Sequence, residues 1–316
     1  MKLLITGGSG YIGGRLADYL AADENNEVIV TSRQLPTDKE PVKNIRFVES
    51  DWQSLLGFQQ IMAGVDIVIH LAGMNAVDIM RNPENAIAFK RDSTSLILQA
   101  ADHNQVKHVI YFSSAHVYMS PLTGRISEDT IPKSTHPYAL AHLAAEKVVL
   151  AADAAGGVRG TVIRLSNAYG KPASMESNCW ILLVNDLCRQ AVTSQRMILK
   201  STGLQRRDFI TMTDVCRAAR HLMHADRIVD VLPIVNVGGD WSPTIWEMAC
   251  LIQTRCAEVL GFTPILERVA PDSAEQPDYL DYNIDRLRNT GFSLISNVTE
   301  EIDQLLNFCK LSFSPA

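Results

Sequence analysis

Short apolar runs alternate with amphipathic segments along the first half of the chain. The runs cover 2–6, 27–32, 45–48, 66–71 and 109–114, and most positions within them are hydrophobic. Strands of this kind are buried on both faces, and helices that alternate with them cover both sides of a parallel sheet. The pattern therefore predicts an α/β fold with a doubly wound parallel sheet. Amphipathic helices are expected at 83–103 and from 138 onward.

The second half continues the alternation less regularly. We expect a strand that ends at Asn167, further strands at 197–200 and 232–237, and helices at 177–192, 213–226, 244–260 and 299–309. Glycine and proline after Asn167 mark an exit from the sheet. We expect residues 1–166 plus about 205–239 to form a sheet domain, and about 167–204 plus 240–316 to form a smaller, interleaved lobe that binds substrate.

The glycine-rich stretch TGGSGYIGG (6–14) joins the first strand to the first helix without a break. Gly7, Gly10 and Gly13 permit a tight turn and close packing of the helix on the strand. The free amides around Tyr11 and Ile12, at the start of the helix, suit a pyrophosphate. Because the motif stands between the right elements, it predicts a Rossmann-type sheet that binds a dinucleotide; a plain loop is the alternative.

The second strand ends in Thr31-Ser32-Arg33. An NAD site usually has an acidic residue there, which holds the ribose hydroxyls. A guanidinium beside two hydroxyls suits a 2′-phosphate instead, so we expect NADP as the cofactor. The alternative is NAD, with Arg33 as a solvated loop residue.

The next two strand ends also carry candidate cofactor contacts. Asp51 and Trp52 follow the third strand, where the carboxylate can meet the adenine amino group. Leu71, Ala72 and Gly73 follow the fourth strand, where small residues let the backbone approach the cofactor. These positions extend the predicted dinucleotide site along the carboxyl ends of the strands.

The composition narrows the class of protein. The chain has 316 residues, 47% of them hydrophobic and 20% charged, which suffices for a large domain and a smaller one. A net charge of −6 without basic runs argues against nucleic-acid partners. No stretch approaches the roughly 18 apolar residues of a membrane span. The six cysteines lack CxxC spacing, which favours reduced core residues in a cytoplasmic protein and no metal site.

A candidate reaction centre follows the fifth strand. That strand ends at Ser114, and Tyr138 opens a helix 24 residues later, with His142 one turn further along the same face. A hydroxyl at a strand end and a phenol on the first turn of the following helix can meet over one substrate.

Together these motifs resemble the extended short-chain dehydrogenase/reductase superfamily, and within it the sugar-nucleotide epimerase/dehydratase family. The resemblance rests on TGGSGYIGG, Asp51, HLAG (70–73), SSAHVY (113–118) and Tyr138, in that order along the chain. It implies an NAD(P)-dependent oxidoreductase or epimerase that acts on a nucleotide-diphosphate sugar, and a homodimer formed through helices 83–103 and 138–155. It also implies that Ser114 and Tyr138 are catalytic, with Tyr138 as the general acid/base.

Position 142 departs from the family's YxxxK motif. His142 stands where the lysine is expected, and Lys147, nine residues after Tyr138, lies on a different part of the helix. A mostly neutral histidine can still donate one hydrogen bond to the nicotinamide ribose. It gives less electrostatic help to a phenol whose free pKa is about 10. Either His142 replaces the lysine in a working enzyme, or the chain is a catalytically impaired dinucleotide-binding or sensor protein.

Two other stretches depart from the family pattern. The helix at 83–103 carries Lys90, Ser93 and Thr94 where the family usually has an asparagine and a Gly-Thr pair. The contact that the family's asparagine makes with the cofactor is therefore not expected in this chain. The two positions after Ser114 hold alanine and His116 in place of the Asp-Glu pair of the dehydratase branch. This favours 4-epimerisation or ketosugar reduction over dehydration. His116 is expected to face the substrate, either without a catalytic role or as an auxiliary acid/base.

Substrate contacts are implied for the second half. Asn167 lies in a stretch similar to the family's RxxNxYGP, and Arg207 in one similar to G-x-x-x-R-D-F. The resemblance implies that both contact the nucleotide sugar, with the donor fork of Arg207 on the diphosphate. The alternative for Arg207 is a structural ion pair with Asp208 or Asp214. Reduction of a small non-nucleotide carbonyl compound is a third hypothesis, which Asn167 and Arg207 disfavour.

Overall fold

The computed structural model describes residues 1–32, 42–73, 76–224 and 233–313. The strands are β1 Lys2–Thr6, β2 Glu27–Ser32, β3 Ile45–Glu49, β4 Ile67–His70, β5 His108–Ser114, β6 Gly124–Ile126, β7 Arg159–Leu165, β8 Asn167–Tyr169, β9 Arg196–Ile198, β10 Phe209–Thr211, β11 Ile234–Val237, β12 Ile265–Glu267 and β13 Leu280–Tyr282. The helices are α1 Tyr11–Ala21, α2 Leu55–Ile61, α3 Ala76–Arg81, α4 Pro83–His103, α5 Pro137–Ala154, α6 Leu183–Ser194, α7 Met212–His224, α8 Ile245–Leu260, α9 Asp285–Arg288 and α10 Val298–Phe313.

Seven strands form the main sheet in the order β11-β7-β5-β4-β1-β2-β3. The neighbours from β3 through β7 pair in parallel. This confirms the predicted Rossmann-type doubly wound sheet. The chain winds outward in both directions from β1 and β4, so the topological switch point lies between them. In such sheets ligands bind at the carboxyl ends of the strands beside that point.

Local signals explain where the central helices begin. Pro83 and Pro137 occupy the first turns of α4 and α5, where a missing N–H costs nothing. The Asn82 side chain caps α4 by accepting from the Asn85 amide. His136 caps α5 by accepting from the Tyr138 amide at 3.2 Å. The predicted helix at 177–192 is wrong at its start, because helical structure begins only at Leu183.

The chain divides into two compact units. Unit 1 comprises 1–120, 131–165 and 219–236, and unit 2 comprises 121–130, 166–218 and 237–316. These ranges differ from the expected domains at two places. Residues 121–130 belong to unit 2 because β6 pairs with β13, and 205–218 belong to it because β10 pairs with β8.

Each unit has its own apolar core. In unit 1, Leu4, Val68, Val109 and Val162 from the sheet pack with residues of α4 and α5. In unit 2, helices α6, α8 and α10 bury Leu187, Ile252, Leu305 and their neighbours against one another. All six cysteines are free, and five of them are buried. Within the described part of the chain, no helix combines the length and apolarity needed to cross a membrane.

Candidate active site

A glycine turn lies at the carboxyl end of β1. Gly7 has φ +73°, and a Cβ there would lie 2.8 Å from the backbone of Ala72. A Cβ on Gly13 would clash with the Gly7 carbonyl oxygen. Gly10 precedes α1 and provides no side-chain cap, so the helix does not use a residue of its own to cover its first-turn amides. This cradle, with Tyr11 and Ile12 opening the helix, fits a dinucleotide pyrophosphate.

The loop after β4 approaches this turn. The Thr6 hydroxyl contacts His70 Nδ1 at 2.7 Å and accepts from the Ala72 amide at 3.4 Å. The second ring nitrogen of His70 lies 3.1 Å from the Thr94 hydroxyl. Burial lowers the pKa of His70 to about 3, so the ring is neutral. His70 therefore joins β1, β4 and α4, and it holds Leu71, Ala72 and Gly73 at the strand end.

The remaining predicted cofactor contacts lie near β2 and β3. Asp51 is exposed and accepts from the Gln53 amide, while the Trp52 ring stacks on His70 with centroids 6.2 Å apart. Ser32 at the end of β2 donates to the Ser9 hydroxyl of the glycine turn at 3.4 Å. Arg33, the expected 2′-phosphate contact, lies outside the described residues.

The structure brings Ser114 and Tyr138 together. Ser114 is the last residue of β5, and its hydroxyl accepts from the His116 amide at 3.2 Å. The Tyr138 phenol lies close enough to the Ser114 hydroxyl for the hydroxyl to influence its ionisation. Burial raises the pKa of Tyr138, and the nearby Ser114 hydroxyl opposes this rise because it favours the phenolate. A phenol and a serine hydroxyl thus lie close together at the carboxyl end of a parallel strand.

His142 lies one turn after Tyr138, and its ring meets the Tyr138 ring edge-on with centroids 4.6 Å apart. Its Nδ1 lies 2.9 Å from the hydroxyl of Tyr111, a fully buried residue of β5. Burial holds the pKa of His142 well below its usual value, and the nearby Lys90 acts in the same direction. When Tyr111 donates this bond, neutral His142 carries its proton on Nε2.

Lys90 of α4 also reaches this region. Its side chain is buried, and Nζ donates to the Ala72 carbonyl at 3.3 Å and lies 5.5 Å from the centroid of the Tyr111 ring. Burial lowers the pKa of Lys90 to about 8. From the sequence, Lys90 was identified only as a departure from the family pattern, and its location beside Tyr111 and His142 was not predicted. A lysine in the middle of a predicted core-facing helix was the available signal.

A buried ion pair supports the end of β5. Arg164 of β7 and Glu146 of α5 are joined at 2.6 Å, and both side chains are nearly inaccessible to solvent. The Ser113 hydroxyl donates to the same carboxylate, and the Arg164 guanidinium lies over the Tyr118 ring. Tyr111 and Ser113 face His142 and Glu146, which are one helical turn apart. The strand and the helix are therefore fixed to each other at two successive points.

His116 and Lys147, near the candidate reaction centre, differ in how far they are buried. His116 is half-buried and close enough to His142 to lower its pKa. Lys147 is exposed on α5. The structure therefore agrees with the expectation that Lys147 does not substitute for the absent motif lysine.

Asn167 and Arg207 lie in unit 2. The Asn167 side chain donates to the Asp208 carbonyl at 2.9 Å, which anchors it beside β10. Arg207 forms no ion pair with a carboxylate of the described residues, and burial lowers its pKa. Its Nε is buried without a hydrogen-bond partner. Asp214 pairs with Arg217, and buried Asp208 accepts from the Gly239 amide, so neither forms the alternative ion pair considered for Arg207.

A parallel sheet with a glycine turn at its switch point is the Rossmann type of dinucleotide-binding fold. The chain belongs to the NAD dependent epimerase/dehydratase family, whose sequence model matches residues 3–238. One relative, a dTDP-glucose 4,6-dehydratase of Streptomyces niveus, is 26% identical over 81% of this chain and 78% of its own length. A putative UDP-glucose 4-epimerase of Methanocaldococcus jannaschii is 23% identical over 98% of both chains.

Solved structures share the fold. The NAD-dependent NDP-hexosamine 5,6-dehydratase TunA, involved in tunicamycin biosynthesis, superposes with a TM-score of 0.79 at 25% identity, over 98% of both chains. The UDP-N-acetylglucosamine 4-epimerase of Methanobrevibacter ruminantium superposes with a TM-score of 0.81 at 20% identity, over 97% of both chains. These relatives and structures include both epimerases and dehydratases.

Proposed function

We propose that this protein is an NAD(P)-dependent oxidoreductase or epimerase that acts on a nucleotide-diphosphate sugar through Ser114 and Tyr138. The observation that carries the proposal is the proximity of these two side chains at the carboxyl end of β5. This is the edge of the sheet on which the glycine turn after β1 also lies. Dinucleotide-binding sheets place cofactor and substrate at that edge.

The cofactor would rest on Gly7, Gly10 and Gly13, with Leu71 to Gly73 beside it. When bound, the nicotinamide ring accepts or supplies a hydride. The sequence Thr31-Ser32-Arg33 favours NADP over the alternative, NAD. Binding constants for NAD and NADP, measured with wild type and Arg33→Ala, decide between them: a weakening confined to NADP supports the preference, and equal effects on both remove it.

The protein's own part in the reaction is proton transfer. As phenolate, Tyr138 takes the proton of a sugar hydroxyl whose carbon is being oxidised; as phenol, it returns a proton when a carbonyl is reduced. The Ser114 hydroxyl donates to the same substrate oxygen and stabilises the negative charge that develops there. His142, with Nδ1 occupied by Tyr111, presents Nε2 for a hydrogen bond to the ribose.

Arg207 supports the substrate class. A half-buried guanidinium without a carboxylate partner among the described residues favours an anionic ligand, and its fork of donors matches a diphosphate. Asn167 would position the same ligand. Because alanine and His116 follow Ser114, there is no adjacent carboxylate for elimination of water. We therefore favour 4-epimerisation or ketosugar reduction over dehydration.

A second candidate function is dinucleotide binding without turnover. It is favoured by the low pKa of His142, which leaves that position without the positive charge of the family's lysine. In that case Ser114 and Tyr138 would retain their geometry but the phenol would ionise too rarely to transfer protons.

The test is to incubate the purified protein with NAD or NADP and a panel of UDP- and dTDP-sugars, followed by NMR of the products. Inverted configuration at C4, or reduction of a ketosugar, supports the proposal if Tyr138→Phe abolishes it while cofactor binding persists. Failure to bind either dinucleotide overturns both functions. Binding without turnover, together with activity gained in His142→Lys, establishes the second candidate.

A further inference from the structure

Lys90 carries a buried ammonium group that the roles described above do not use. Its side chain is 4% exposed, and among the described residues no carboxylate pairs with it. Its hydrogen bond is to a backbone carbonyl, that of Ala72. An ammonium group in such surroundings costs folding free energy, so its presence calls for a role.

The surroundings of Lys90 lead to the candidate reaction centre. Nζ faces the Tyr111 ring at 5.5 Å, the Tyr111 hydroxyl contacts His142 Nδ1 at 2.9 Å, and the His142 ring lies against Tyr138. Lys90 is close enough to act electrostatically on His142 and on His70. Its charge therefore reaches His142, which lies one helical turn after Tyr138.

Backbone and side-chain packing hold Lys90 in this position. Its carbonyl accepts from the Thr94 hydroxyl at 2.7 Å, and Thr94 in turn contacts His70 at 3.1 Å. A Cβ on Gly73 would clash with Nζ. The glycine in the loop after β4 thus leaves the space that the ammonium group occupies.

We propose that Lys90 is a positioning residue of the candidate active site, which supplies from α4 the positive charge that His142 does not supply from α5. The inference rests on the proposed function of Tyr138 as the proton-transfer group. A cation near the phenol stabilises the phenolate, which is the form that accepts a proton from substrate. The family's lysine and this chain's Lys90 would then provide the same charge from two different helices.

The competing explanation is structural: Lys90 could merely join α4 to the loop after β4 through the Ala72 carbonyl. The two roles differ in whether a lysine at position 142 can compensate for the loss of Lys90. A charge placed at position 142 restores an electrostatic effect on Tyr138, but it does not restore a hydrogen bond between α4 and Ala72.

The experiment follows ionisation of Tyr138 by ¹³C NMR of the full-length protein labelled at tyrosine Cζ, with the signal assigned through Tyr138→Phe. Wild type, Lys90→Met, Lys90→Met/His142→Lys and the exposed-lysine control Lys147→Met are compared without cofactor and with saturating NADP. Other groups that face Lys90 or its neighbours are His70, Tyr111, Glu146 and His116, and all are unchanged in these variants. Lys90→Gln serves if Lys90→Met does not fold.

We expect Lys90→Met to raise the pKa of Tyr138 by about one unit, a tenfold change in proton affinity. The double variant should reverse at least half of that rise, and Lys147→Met should match wild type. An unchanged Tyr138 pKa in a folded Lys90 variant, or a rise that His142→Lys does not reverse, overturns the inference. The titration requires no turnover, so an enzyme inactive on every sugar nucleotide would refute the proposed function without deciding the role of Lys90.

Discussion

The Tyr111 hydroxyl and His142 Nδ1 lie 2.9 Å apart in the interior of unit 1. The contact joins β5 to α5 one turn after Tyr138, and it occupies one nitrogen of a ring that stands where the family has lysine. A lysine there would be a mobile cation, whereas His142 is a neutral ring fixed by a partner on the sheet. The orientation of His142 therefore depends on Tyr111.

Removing the Tyr111 hydroxyl should weaken both the fold and cofactor binding. Tyr111→Phe leaves the buried Nδ1 of His142 without its partner, which costs about 1–3 kcal/mol of unfolding free energy. A released ring also presents Nε2 less accurately, so the dissociation constant for NADP should rise severalfold. Urea unfolding and fluorescence titration with NADP measure the two effects. Tyr19→Phe, on α1 outside this contact, is the control, and equal behaviour of the two variants would contradict the prediction.

Removing the Ser114 hydroxyl should shift the pH dependence of activity. Burial already raises the pKa of Tyr138, and the nearby Ser114 hydroxyl lowers it. In Ser114→Ala the pKa rises further, so the phenolate fraction at a given pH falls and the acid limb of kcat/KM moves to higher pH. Loss of the donor to the developing negative charge should lower kcat by a further 10²–10³-fold, roughly. A reduced rate with an unmoved pH profile would show that Ser114 does not act on the phenol.

The glycine turn offers a test of the cofactor site. A Cβ in Gly13→Ala would collide with the Gly7 carbonyl, so α1 must move away from β1. We expect dinucleotide affinity to fall at least tenfold, roughly, because the first-turn amides leave their positions. Gly57→Ala, in α2 and away from this turn, should bind as wild type does. Isothermal titration calorimetry with NAD and NADP provides the comparison. Unchanged affinity in Gly13→Ala would show that the glycine turn does not form the dinucleotide site.

The features that depend on residues close together in the sequence could be predicted. The glycine turn between β1 and α1 and the proline that starts α5 are visible as contiguous signals, and the parallel sheet follows from the apolar runs. Side-chain partners from distant positions were not predictable. Tyr111 contacts His142, and Lys90 lies over Tyr111, only because α4 and α5 pack against each other beside β5. The pairing of β6 with β13 joins segments more than 150 residues apart, which no local pattern encodes.

The buried pair of Glu146 and Arg164 should make a large contribution that depends on both partners. Glu146→Gln leaves the Arg164 guanidinium buried without a counter-charge, which costs about 3–5 kcal/mol. It also weakens the bond from Ser113, next to Ser114, so activity should fall with stability. The double variant Glu146→Gln/Arg164→Met should be less destabilised than Glu146→Gln alone, because no buried charge remains. Glu24→Gln, which breaks the exposed pair with Lys43, should change denaturant midpoints little. Additive losses in the double variant would contradict this account.

Lys90 should lower stability at neutral pH while it serves the site. Its pKa is about 8 in the folded protein, against an ordinary value of 10.5. Between these two values the unfolded chain binds more protons than the folded one, so the unfolding free energy contributed by this group rises as pH increases from 8 to 10.5. Below pH 8 the ammonium group is charged in both the folded and the unfolded state. The full cost of burying the charge then applies, which is about 3 kcal/mol of unfolding free energy. Lys90→Met should therefore be more stable than wild type at pH 7, and the gap should narrow towards pH 10. Urea unfolding at pH 7, 8.5 and 10 measures this, with Lys147→Met as the exposed control. A Lys90→Met variant that is less stable than wild type at pH 7, or a gap that does not change with pH, would show that the buried ammonium group carries no such penalty.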